Sequence, residues 1–236
     1  MKKNERMFLG IASITLLFFV FSKKKERVRK LNRNYEIMIK EYLRKNYNED
    51  FSGVVQFGIR GGLFKKNGDL EQNDNVVDAW NDTIGFFDSK NKKSFAIAAT
   101  VDAGLYYQEN PMMSQGTFRL VPGHYRYTFG KHFGRDAFRM IDIPARGYRS
   151  NTKNKYFVPG QELYVENYPG EFGINLHAKY TSNSVGRSSA GCQVPDADWK
   201  SKDWNYFYNY MKDSGQKSFE YYLIEAKDLL KGAVTV

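Results

Sequence analysis

Turn signals recur at short intervals from residue 51 onward, and they constrain the fold more than any other feature of the chain. The signals are Gly61-Gly62, Asn67-Gly68, Asn81-Asp82, Pro122-Gly123, Pro159-Gly160 and Pro169-Gly170. Short apolar or alternating runs lie between them, at 54–59, 83–87, 94–100, 125–129, 138–143 and 173–176. Strands of this length with frequent turns predict a mostly β fold, namely a mostly antiparallel β-sandwich or barrel.

One helix is expected on this β-rich body. Apolar residues repeat at three- and four-residue spacing at Trp204, Phe207, Tyr208 and Met211. We expect this helix to begin near Asp196, where its N-terminus would place a positive field close to Cys192. A closing strand is predicted over 218–226.

The N-terminal part of the chain has a different character. Residues 7–22 carry no charge and are bracketed by Lys and Arg, which predicts an uncleaved membrane anchor over 1–25. A cleaved signal peptide, cut near Val20 or Ser22, is the alternative. Helical spacing of apolar residues predicts a stalk helix or linker over 26–50, and 51–236 forms the main domain.

The charge distribution argues against a nucleic-acid-binding protein. The net charge is +10, but residues 1–46 carry 13 Lys and Arg against 4 Asp and Glu. The other 190 residues carry 23 against 22 and are almost neutral. A basic strip confined to one end indicates a membrane-flanking segment rather than a phosphate-binding face.

Cys192 is the only cysteine, so the chain has no internal disulfide and no multi-cysteine zinc site. The three histidines lack metal-ligand spacing, and we predict no metal or cofactor. His177 ends an apolar strand, and a Ser-, Asn- and Gly-rich loop leads from it to Cys192. A thiol beside an imidazole is what thiol acyl transfer needs, and Gly191 allows close backbone approach for oxyanion-stabilising N–H groups. The alternatives are an inert buried thiol and a core histidine; His124 and His132 are expected to be structural or exposed.

The run from His177 to Ser189-Ala190-Gly191-Cys192 resembles the signature of the L,D-transpeptidase catalytic domain, the YkuD-like fold. Upstream segments are also similar to this family, namely 81–84, 99–104 and the Gly116-Thr117 to Tyr125 segment. The likeness covers about 75–226 and is greatest to a branch from Bacteroidetes-type bacteria and their phages. It implies a YkuD-like β-sandwich with a helix packed after the catalytic cysteine.

The resemblance also implies roles for individual residues. Cys192 is the expected nucleophile, His177 the base and later the acid, Ser189 a residue that holds the site, and Gly191 part of the oxyanion hole. Three positions depart from the family pattern: Ala190 replaces a second histidine, Gln193-Val194 replaces a pair that often includes Arg or Asn, and Ala178 replaces a glycine. Arg187 is the candidate for the missing positive charge, and Tyr125 and Tyr180 are expected to line the substrate groove.

The function implied by the resemblance is acyl transfer on the peptide stems of peptidoglycan through a thioester. Transfer to an amine makes the protein a transpeptidase, and transfer to water makes it a carboxypeptidase or endopeptidase. Loss of the second histidine leaves open a non-catalytic wall-binding or phage structural module. Basic residues after residue 22 favour a cytoplasmic body, but the substrate requires the domain to face the periplasm or the cell exterior, and we predict that orientation.

Overall fold

The computed structural model describes residues 28–29, 31, 33–142, 145–150, 163–166, 174–180 and 183–233. The strands are β1 Val28–Arg29, β2 Val54–Arg60, β3 Gly62–Phe64, β4 Leu70–Gln72, β5 Asp82–Asp88, β6 Lys93–Thr100, β7 Thr117–Leu120, β8 Gly123–His132, β9 Arg135–Met140, β10 Arg146–Ser150, β11 Leu163–Glu166, β12 Asn175–His177, β13 Val194–Pro195 and β14 Ser218–Glu225. The helices are α1 Arg33–Tyr47, α2 Leu105–Glu109, α3 Lys202–Asp213 and α4 Ala226–Ala233.

The main sheet has nine strands and is nearly closed. Its order is β1-β6-β5-β2-β14-β8-β9-β12, and β13 also pairs with β6. Parallel bridging between Leu176 and Gln193 brings the last strand, β12, beside the segment that leads into β13. The mostly β prediction is therefore confirmed, and the sheet curves until its two ends almost meet. β2 and β14 pair in parallel, whereas the other pairs of adjacent strands along this order are antiparallel.

Strands of this sheet bury both of their faces, in two separate hydrophobic clusters. Along β14, Tyr221 and Leu223 belong to one cluster, and Tyr222 and Ile224 belong to the other. This alternation follows from the two-residue period of a strand. Helix α3 contributes to the first cluster, while α1 and α4 contribute to the second.

Helix α3 confirms the predicted helix after Cys192, but it begins later than expected. Its buried side chains are Trp204, Phe207 and Met211. Ser201 caps it by accepting a hydrogen bond from the Trp204 backbone N–H at 3.1 Å. The expected start near Asp196 is wrong, because β13 and a turn occupy the chain between Cys192 and Lys202. The N-terminus of α3 is therefore not adjacent in sequence to the thiol.

Helix α1 falls within the segment predicted to be a stalk, and it packs on the domain. Ile39 and Leu43 are fully buried in the second cluster, and β1 pairs with β6. The folded body thus includes residues on both sides of position 50. None of the helices in the described ranges is long and apolar enough to span a membrane. The anchor predicted for 1–25 lies outside those ranges.

The packing of α1 gives a direct stability prediction. Ile39→Ala should lower the free energy of unfolding by about 2–5 kcal/mol, because it removes a fully buried side chain and leaves a cavity. Ile37→Ala is the matched control, since Ile37 lies on the same helix but is 43 % exposed; its effect should stay within about 0.5 kcal/mol. Urea unfolding of the two variants measures both values. Equal effects would contradict the packing of α1 on the sheet.

A buried group of charges lies at the end of β2. Arg60 is 1 % exposed, and its Nε lies 3.1 Å from Oδ1 of Asp102. Its Nη1 donates to Glu225 at 3.0 Å, and its Nη2 donates to the carbonyl of Leu120 at 2.8 Å. Arg119 donates to the same Asp102 oxygen at 3.0 Å. This network ties β2, β7 and β14 together.

Candidate active site

The sheet brings His177 and Cys192 together. His177 is the last residue of β12, and its backbone N–H donates to the Gln193 carbonyl at 3.1 Å. The Gln193 N–H donates in turn to the Asn175 carbonyl at 2.9 Å. These two bonds hold the residue after Cys192 against β12. His177 and Cys192 therefore lie close together, although a loop separates them in sequence.

The loop between them is fixed at several points. The Asp78 carboxylate accepts hydrogen bonds from the backbone N–H groups of Leu105 at 3.0 Å and Gly186 at 2.6 Å. The Ser188 hydroxyl accepts from the Tyr180 N–H at 2.9 Å. Residues 183–192 are therefore attached both to α2 and to the chain that follows β12.

Ser189 and Gly191 shape the backbone before the thiol. The Ser189 hydroxyl donates to the Cys192 carbonyl at 2.8 Å and accepts from the Gly191 N–H at 3.1 Å. Gly191 has φ +126°, and a Cβ there would lie 2.8 Å from the Phe118 carbonyl oxygen, so a larger residue does not fit. Ser189 thus fixes the local backbone on both sides of the Gly191–Cys192 peptide bond. The Gly191 N–H is engaged within the loop, and a role in an oxyanion hole requires that bond to be exchanged.

The hydrogen bonding of His177 defines its tautomer. Nδ1 lies 2.8 Å from the carbonyl oxygen of Ala178, and only a protonated nitrogen can donate to a carbonyl. In the neutral ring the lone pair is therefore on Nε2. The residue is fully buried, and its Nε2 has no hydrogen-bond partner within the described part of the chain. Nε2 is thus the ring nitrogen that can accept a proton.

Burial keeps both members of the pair neutral. It lowers the pKa of His177 to about 3, with a further contribution from neighbouring His132. It raises the pKa of the Cys192 thiol to about 11, against the smaller lowering effect of a hydrogen bond from the Asn175 backbone. At pH 7 the site therefore holds a thiol and a neutral imidazole, not a thiolate and an imidazolium.

His132 and Trp199 flank His177, and sequence reasoning missed both. The imidazole of His132 stacks on that of His177 with ring centroids 3.9 Å apart, and Trp199 lies parallel to His177 at 5.8 Å. His132 is half-buried, and its Nδ1 lies 2.8 Å from the side-chain nitrogen of Asn175. The prediction that His132 is structural or exposed did not include this stack. No sequence signal marks it, because the pairing of β9 with both β8 and β12 creates it.

The three predicted substrate contacts lie in different surroundings. Tyr180 is 40 % exposed, with its ring 5.8 Å from that of His177. Arg187 is exposed, and its guanidinium lies 4.0 Å over the ring of Tyr106. Tyr125 is 3 % exposed in the first hydrophobic cluster, and its hydroxyl donates to the Val121 carbonyl. Of the three, Tyr180 is placed beside the histidine ring.

The site also contains three groups of the kind that ligate metals. One ring nitrogen each of His132 and His177 and the sulfur of Cys192 lie within 4.8 Å of one another. A metal ion binds near the plane of an imidazole, along the nitrogen lone pair. The two ring planes are 9° from parallel and stacked at 3.9 Å, so one ion cannot lie in both planes. The stacked rings therefore do not suit ligation of one metal ion by both histidines.

Comparison of the chain with known protein families, with curated proteins and with solved structures found no match in any of the three.

The raised thiol pKa predicts a slow reaction of Cys192 with alkylating reagents. A free cysteine has a pKa near 8.5, so at pH 8 the native thiol should react about 200-fold more slowly than the unfolded chain. Because only the thiolate reacts, the rate should keep rising with pH up to about 11. Iodoacetamide modification between pH 7 and 11, followed by intact mass, measures the profile, with urea-unfolded protein as the control. An inflection below pH 8 would instead indicate a thiolate–imidazolium pair.

Proposed function

We propose that this protein is a cysteine-dependent acyl transferase of the L,D-transpeptidase type, acting on peptidoglycan stem peptides. The observation that carries the chemistry is the buried Cys192–His177 pair, with the free Nε2 lone pair of the histidine. The substrate class comes from the resemblance of the 177–192 motif to that family. A YkuD-like catalytic domain is part of the same proposal.

The residues support a two-step reaction. As Sγ of Cys192 attacks the carbonyl carbon, His177 Nε2 takes the thiol proton, and the tetrahedral oxyanion forms. Collapse breaks the C–N bond, and the imidazolium returns the proton to the departing amine. An acceptor amine or water then attacks the thioester, with His177 again removing a proton and the thiol as leaving group. Transfer to an amine gives a cross-link, and transfer to water gives a shortened stem.

The Ala178 carbonyl has a defined part in this scheme. Its bond to Nδ1 fixes the histidine tautomer, and it stabilises the charge that develops on the ring when Nε2 is protonated. Because the Cys192 thiol and the His177 imidazole are both neutral before substrate binds, the resting site contains no buried ion pair. The charges form only together with the tetrahedral oxyanion.

The proposal includes a location. Residues 1–25 would anchor the chain in the cytoplasmic membrane, with the folded body facing the peptidoglycan. A periplasmic reporter fused to the C-terminus should be active in this orientation, and a reporter active only in the cytoplasm would contradict it.

The experiment for the activity is mass spectrometry of the full chain, in detergent, incubated with tetrapeptide- and pentapeptide-stem muropeptides. The full chain is needed because α1 is part of the folded body. A thioester adduct and altered stems should appear, and both should be lost in Cys192→Ala. The products distinguish transfer to an amine from hydrolysis.

One observation favours a second candidate, a non-catalytic cell-wall-binding or phage structural module. Cys192 is only 8 % exposed, and burial raises its thiol pKa. If the folded chain forms no adduct and changes no stem but still sediments with peptidoglycan, this second function replaces the first.

A further inference from the structure

Two aromatic rings, exposed Tyr180 and half-buried Trp199, lie beside the buried pair. Tyr180 and Trp199 have ring centroids 4.7 Å apart, and each centroid is 5.8 Å from that of His177. We call these two residues the aromatic shelf. Trp199 is fixed there by its Nε1, which donates to the Asp136 carbonyl at 2.9 Å. The shelf is therefore attached to β9.

Arg135 lies over both rings of the aromatic shelf. Its guanidinium carbon is 4.8 Å from the ring centroid of Trp199 and 5.5 Å from that of Tyr180. Arg135 begins β9 and pairs with His132, the last residue of β8. His132 in turn stacks on His177. The fold therefore places a cation over the two rings that lie beside His177.

The charge of Arg135 is not neutralised within the described part of the chain. The nearest carboxylate in sequence, Asp136, pairs with Lys131, and none of the described ion pairs includes Arg135. A guanidinium that lies over aromatic rings can still present N–H groups to a carboxylate. Arg187, the arginine that the sequence suggested, lies on a different ring, that of Tyr106.

We propose that Arg135, supported by Tyr180 and Trp199, is the carboxylate-binding subsite of this active site. It takes a free carboxylate of the acyl donor near the scissile bond and selects acidic stem peptides over their amides. The choice of substrate rests on the proposed function. The effect of Arg135 on anions that reach Cys192 can be tested without enzymatic turnover.

The test compares two alkylating reagents that differ in charge, iodoacetate and iodoacetamide. Cys192 is the only cysteine, so modification of the full chain reports on this site alone. At pH 9 and low salt, the ratio of iodoacetate to iodoacetamide rates should exceed that of free cysteine. Arg135→Gln should lower the ratio by about 3- to 10-fold, as expected for loss of one nearby charge. The iodoacetamide rate should change by less than about twofold.

Two further variants complete the design. Arg187→Gln is the matched control, with the same change in net charge, and should leave the ratio unchanged. Arg135→Lys should retain part of the preference. An unchanged ratio in Arg135→Gln, or an equal fall in Arg187→Gln, would contradict the carboxylate subsite at Arg135. Neither result would contradict the proposed acyl transferase activity. If neither reagent modifies Cys192 in the folded chain, the subsite is overturned, and muropeptide turnover decides the proposed function separately.

Discussion

Replacement of His177 by glutamine is expected to lower the rate of thioester formation by about 10²- to 10⁴-fold. Glutamine is polar but cannot take up the thiol proton and later release it to the amine. The imidazole can, because its Nε2 is unprotonated and lies in a site where the Ala178 carbonyl fixes the other nitrogen. Appearance of the adduct by intact mass, at matched protein concentration, gives the rate.

Two controls accompany this variant. His124→Gln is the same substitution at a histidine that stacks on Tyr222 and contacts Glu220, and it should keep the full rate. The alkylation profile of Cys192 in His177→Gln should also stay close to that of the native chain, because burial and not an imidazolium sets the thiol pKa. Normal acylation by a folded His177→Gln protein would exclude this histidine as the base.

Arg60→Met should lower the free energy of unfolding by about 3–5 kcal/mol. Methionine fills part of the space, but the Leu120 carbonyl loses its donor, and the buried Asp102 loses one of its two arginine partners. Asp82 lies in the same region, where burial and then the charge of Asp102 raise its pKa to about 7. Removing a cation from these carboxylates makes their charged forms costlier to bury.

The matched control for Arg60 is Arg126→Met. Arg126 also pairs with a carboxylate, Asp142 at 2.8 Å, but its side chain is 51 % exposed. Its loss should have a much smaller effect than the loss of Arg60, because water screens the exposed pair. Urea unfolding with a constant m-value measures the two differences. A small effect at Arg60 would show that the buried network adds little to stability.

Local patterns in the sequence were enough to predict much of the fold. Turn dipeptides and short apolar runs predicted the β-rich body, including β2, β5, β6 and β14. Three- and four-residue spacing predicted α3, because one buried face of a helix imposes that period. The start of α3 was misplaced, since β13 and a turn precede it and the Ser201 cap, not a change in hydrophobicity, sets the boundary.

The same limit applies to the site. His177 and Cys192 could be found because they lie near each other in the sequence, in a motif of recognisable residues. His132, Arg135 and Trp199 could not, because each is an ordinary residue until the sheet curves and brings β8, β9 and the segment after β13 beside β12. The exposure of Tyr180 and the burial of Tyr125 were likewise decided by sheet geometry.

The sequence by itself determined the period of each element, the confinement of excess positive charge to the first 46 residues and the presence of a single thiol in the loop that follows a strand-ending histidine. Tertiary structure decided the protonation states of that pair, because both pKa shifts come mainly from burial. It also decided that Arg135 lies over Tyr180 and Trp199, whereas Arg187 lies over Tyr106. Burial and proximity depend on contacts between residues far apart in the chain, and a local sequence pattern does not predict those contacts.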